Sequence, residues 1–136
     1  MERRFLALAL TAAFLACGGR NSNKDLADFI KPCRSWMATL LLISEERLRN
    51  EVPAAYARDS AESALKEIDS SRRPLAQSKA APPLRDETLH LLTRANAAAA
   101  RCRDAFAKND RGAIAAERSE LAKVSAECKR LQEKLE

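Results

Sequence analysis

Apolar positions recur at steps of three and four in four successive stretches of this 136-residue chain, the spacing of helices with one buried face. The first stretch predicts a helix over about 24–50, striped by Leu26, Phe29, Ile30, Cys33, Trp36, Met37, Leu40, Ile43 and Leu48. Ser22 or Asn23 is placed to cap it, and Pro32 to kink it. A second helix, about 53–73 with an extension towards Ser78, has a thinner stripe of Ala57, Ala61, Ala64, Leu65, Ile68 and Leu75, with Pro74 as a stop or kink. Residues 78–83 read as a loop. A third helix, about 83–109, faces inward with Leu84, Thr88, Leu91, Leu92, Ala95, Ala98, Ala99, Cys102 and Phe106. A turn at 109–112 containing Gly112 leads to a fourth helix, in which Ile114, Leu121, Cys128 and Leu135 recur every seven residues and Val124 and Leu131 fill the alternate positions.

Four amphipathic segments with short connections predict an all-α, antiparallel four-helix bundle with kinks near Pro32 and Pro74. Composition agrees. Alanine, the best helix former, fills 27 positions, while aromatics make up only 4%. The 46% apolar content therefore overstates the large side chains available to a core, and the Ala97–Ala100 run permits close helix approach.

The amino-terminal end carries a different pattern. A charged head, Glu2-Arg3-Arg4, precedes an apolar run from Phe5 to Ala16 that ends in Phe14-Leu15-Ala16-Cys17-Gly18-Gly19. Twelve residues are too few to span a bilayer, which takes about 20. Basic start, apolar middle and a small residue before the cut are the layout of a secretory signal. With a cysteine after the cut, the segment resembles the bacterial lipoprotein precursors. That resemblance implies a signal peptide at 1–16, a diacylglyceryl group and an N-acyl group on Cys17, a lipidated tether at 17–23 and a bundle domain at 24–136. Several acyl chains anchor stably where one is marginal. Gly18 stands where an aspartate would retain such a protein at the inner membrane, so the implied address is the outer membrane, facing the periplasm.

Export makes disulfides available. With Cys17 lipidated, Cys33, Cys102 and Cys128 remain. Reflecting the chain through its predicted turns sets Cys33 level with about residue 130 of the fourth helix, roughly 3 Å from Cys128 along the axis, whereas Cys102 lies some 16 Å off. Bridging needs Cα atoms within about 7 Å. A Cys33–Cys128 bond is therefore expected, worth about 4–5 kcal/mol in the chain-entropy model, with Cys102 left as the free thiol.

Candidate chemistry is sparse. His90 is the only histidine. No Cys-x-x-Cys-His occurs, so covalent c-type haem is excluded; a non-covalent haem would have to use Met37 and His90. Cys33, Cys102, Cys128 and His90 lack the close local pairing of zinc ligands. Nucleophilic catalysis lacks a base beyond that one histidine, and Glu45-Glu46 and Asp86-Glu87 are placed on exposed positions. No catalytic residue, metal or cofactor is expected beyond the lipid on Cys17. The formal charge is +5 for the full chain, but its basic residues are interspersed and lack stacking aromatics, so nucleic acid is not an expected partner.

The expected function is that of a non-catalytic lipoprotein, held to a membrane by its lipid and acting through contacts with an envelope protein. Leu41, Leu42 and Leu48 lie partly off the main stripe and form the candidate partner face. In size, anchor and helical make-up the chain resembles the small helical pilotins of secretion systems, which implies docking or escorting a component of an envelope machine. Two other readings stay open: an immunity or inhibitor lipoprotein, and a bundle that binds haem or a small hydrophobic ligand between its helices.

Overall fold

The stripes close on one another as four helices: α1 (Glu2–Leu48), α2 (Ala54–Ala76), α3 (Pro82–Lys108) and α4 (Arg111–Leu135). The computed structural model describes the backbone of residues 2–136 and the side chains of 22–136; the side chains of the expected signal peptide, of Cys17 and of most of the tether lie outside the described residues. Among the described residues there is no strand, and no helix is long and apolar enough to cross a membrane. The fold is an all-α four-helix bundle.

Packing is uneven in an informative way. α1 packs most extensively on α4 and α2 on α3, so the bundle is two helix pairs laid together. α1 also touches α2 and, across the diagonal, α3. Small side chains allow this: Ala57, Ala61 and Ala64 of α2 and Ala95, Ala98 and Ala99 of α3 are fully buried. Larger residues fill the remainder, with Leu26, Ile30, Met37 and Leu40 from α1, Phe106 from α3, and Ile114, Leu121 and Val124 from α4.

The element ends show which local signals acted. Pro32 and Pro74 both sit inside continuous helix, each removing one backbone hydrogen bond without ending its element. Ser22 and Asn23 lie within α1 and so do not cap it. Pro82-Pro83 opens α3 rather than closing the loop, because proline needs no hydrogen-bond partner in a first turn. Gly112 falls in the first turn of α4; the reversal before it is made by Asn109, left-handed at φ 50°, with Asp110 capping α4 through a bond from the Ala113 amide at 3.1 Å. Asn50 ends α1 similarly, at φ 57°.

Two polar side chains are carried into the core without a cross-helix partner. The Ser44 and Thr88 hydroxyls each donate to the carbonyl one turn back, Leu40 and Leu84, both at 2.7 Å. Trp36, expected in the core, is only half-buried, and its indole N–H donates to Glu67 of α2 at 2.6 Å.

Candidate functional site: the α1–α4 seam

Two of the expected site features fall on one seam. Cys33 and Cys128 meet across it, and an apolar groove runs along its outer side. Each follows from the stripe geometry of its helix: Cys33 lies among the core positions of α1 between Ile30 and Met37, and Cys128 occupies a heptad position of α4.

The sulfurs of Cys33 and Cys128 are 3.7 Å apart, and both residues are buried, 1% and 0% exposed. The expected neighbours are therefore neighbours, but the expected covalent bond is not present. A disulfide holds its sulfurs about 2.05 Å apart, and this pair is in the dithiol form, joined by an S–H···S hydrogen bond. The hydrogen bond divides the pair. Cys33 is pushed up, first by the bond it shares with Cys128 and then by burial. Cys128 is pulled down by its hydrogen bond with Cys33, with Arg94 and Arg34 also favouring its thiolate. Cys102 is buried apart from them in α3; burial pushes its thiol up to about 12, and the nearby Glu117 adds to the effect.

The groove, about 350 Å³, has Leu41 and Leu42 of α1 on one wall and Ala122 and Ala126 of α4 on the other. Leu42 is 51% exposed, one of two large apolar side chains so open among the described residues; Tyr56 is the second. Arg34 and Lys129 flank the groove with positive charge and Glu45 with negative charge. Arg34 also donates to Gln132 at 3.1 Å, which holds its guanidinium across the two helices. Of the three leucines expected to form one face, Leu41 and Leu42 do so. Leu48 does not line it: it lies at the end of α1, where its carbonyl accepts from Arg111.

The neighbouring α3–α4 seam is closed by charge. Arg94 reaches both Glu120, at 2.9 Å, and Glu127, while Arg101 pairs with Glu117 at 2.7 Å. The Arg94 guanidinium is held above its usual range, chiefly by its hydrogen bond to Glu120. His90 lines a shallow surface hollow beside this network and is exposed, whereas Met37 is wholly buried, so the two candidate axial ligands do not face a common site. Among the described residues no three metal-ligating side chains converge. Glu45 and Glu46 are half-buried, not exposed as the pattern suggested, and Asp86 and Glu87 are exposed.

Sequence reasoning missed the bonds that bind the helix ends, Arg47 to Asn109 and Arg111 to Asn50, and the alanine wall of the groove. The alanines had a visible signal: Ala122 and Ala126 are four apart on α4 and lie beside its heptad seam. The arginine–asparagine pairs had none. Compared with protein-family models, curated proteins and solved structures, the chain matches none of them.

Proposed function

We propose that this chain is a non-catalytic lipoprotein of the bacterial cell envelope, anchored through Cys17 and acting by docking a protein partner on the α1–α4 groove. The observation that carries the reading is Leu42. Leu42 stands half in water, in one contiguous groove with Leu41 and a wall of alanines, and a cleft of this kind accepts the apolar face of a helix. The signal-like run ending at Cys17 supplies the address, an outer membrane facing the periplasm. The pilotin-like role fits this arrangement because docking needs a surface and no reacting group. Export would also bring the Cys33 and Cys128 thiols into an oxidising compartment, where the expected disulfide has its oxidants.

The test is a photoreactive amino acid at position 42 in cells making the full chain. The expected result is one discrete envelope adduct that is lost when Leu41 is replaced by Asp, together with a lipid-modified Cys17 in the intact mass. A chain recovered from the cytosol with its leader attached, or one that never crosslinks from position 42, overturns the reading.

A further inference from the structure

The buried dithiol on the α1–α4 seam has a chemistry that docking does not use. Its sulfurs stand 3.7 Å apart in the dithiol form and come from positions 95 apart in the chain. Closing to about 2.05 Å requires a relative shift of under 2 Å, within reach of side-chain rotation and a small adjustment of the helices. No water-side path leads to either sulfur, since both residues are buried. Cys102, buried elsewhere, hydrogen-bonds to neither.

We propose that Cys33 and Cys128 are a redox modification site: a latent cross-link between α1 and α4, formed by thiol–disulfide exchange while the chain is still open and then sealed inside the folded bundle. The reactant is a disulfide, either a small-molecule one such as oxidised glutathione or the cystine of an oxidoreductase. One of the two cysteines, as its thiolate, attacks one sulfur of that disulfide. A mixed disulfide forms and one thiolate leaves, taking up the proton that cysteine gave. The other cysteine, deprotonated in turn, attacks the protein sulfur of the mixed disulfide, and the second thiolate leaves and takes up that proton. The protein loses two protons and two electrons, and the disulfide becomes two thiols.

Burial makes the oxidation state a record of folding. Neither the oxidant nor a later reductant reaches the sulfurs until α1 parts from α4. The address has no part in this inference, which rests on the seam geometry alone.

The full chain is refolded from urea in a glutathione redox buffer, in parallel with refolding in reductant, and mapped by non-reducing peptide mass spectrometry. The expected product links the Cys33 and Cys128 peptides, is two hydrogens lighter and melts roughly 10 °C or more above the dithiol form. The folded dithiol is then given the same oxidant, with an aromatic disulfide as reporter; its two seam thiols are expected to react at least about 100-fold more slowly than in urea, because reaction waits on opening. Cys102→Ala is expected to leave the linkage unchanged. Main products joining Cys102 to either seam cysteine overturn the proposal. So does recovery of Cys33 and Cys128 as free thiols after oxidative refolding, or oxidation of the folded dithiol as fast as of the unfolded chain. Loss of the crosslink from position 42 bears only on docking, and loss of the peptide linkage only on this site, so the two readings fail separately.

Discussion

Arg47, near the end of α1, donates through Nη2 to the Asn109 side-chain oxygen at 2.9 Å, although the two are 62 positions apart. A mirror-like contact runs beside it, from Arg111 of α4 to Asn50 at 3.3 Å and to the Leu48 carbonyl. Both asparagines have positive φ, so each turns the chain and receives an arginine from the other turn. Asn109→Ala loses both functions, since alanine lacks the polar side chain that eases asparagine into the left-handed region, where an ordinary L-residue is strained by about 1–2 kcal/mol. Asn109→Gly keeps the backbone and loses only the side-chain bond. Urea unfolding is expected to give a clearly larger loss for Ala than for Gly; equal losses would mean that the bond, and not the turn, sets the effect.

The buried Cys102 makes stability depend on alkaline pH. Its thiol ionises near 9.0 when exposed and at about 12 when folded, because burial disfavours the thiolate. A folded-state value raised in this way means that the native form holds the proton longer. The contribution is fully present below pH 9.0 and is lost as pH rises towards 12, at up to about 1.4 kcal/mol per pH unit. Unfolding curves at about pH 8 and about pH 10, in reductant, should show a loss in the parent chain that is smaller in Cys102→Ala. Parallel losses in the two proteins would remove the assignment.

Leu40 and Leu42 are near neighbours in α1 with opposite fates, since one is wholly buried and the other half exposed. Leu40→Ala should cost about 2–5 kcal/mol through the cavity it leaves. Leu42→Asp should change stability by no more than about 0.5 kcal/mol. Calorimetry of the two variants checks both values, and a large loss for Leu42→Asp would place that side chain in the core and not on a docking face.

The alanine interior of α3 should resist enlargement. Ala98→Leu puts three more carbon atoms into a fully buried position and is expected to cost about 1–3 kcal/mol or more, whereas the same change at exposed Ala97 is close to neutral. Melting temperatures of the two variants provide the comparison.

Much of this architecture was legible in the pattern of residues. The buried positions of α4 are those its heptads name, and those of α3 differ only by the addition of Ala105 and the partial exposure of Leu84. The adjacency of Cys33 and Cys128 followed from counting residues between turns, which works because helices rise by a fixed distance per residue. What the pattern hid depends on tertiary context. Pro32 and Pro74 do not interrupt their helices, because packing along the whole stripe outweighs one missing hydrogen bond. Gly112 suggested a glycine turn, yet Asn109, which also tolerates the left-handed region, took that role. Leu48 lies seven residues after Leu41, on the same side of α1, but ends beside the Arg111 clamp, and periodicity carries no information about a bond from another helix.

That the groove lies on the same helix as the amino-terminal end has a mechanical consequence. From Ser22 to Leu42 is one continuous helix of about 30 Å, lacking a backbone hydrogen bond only at Pro32, so a pull entering at one and balanced at the other runs along the helix axis in line with its remaining hydrogen bonds. The three inter-helix turns and the α2–α3 pair lie outside that direct path.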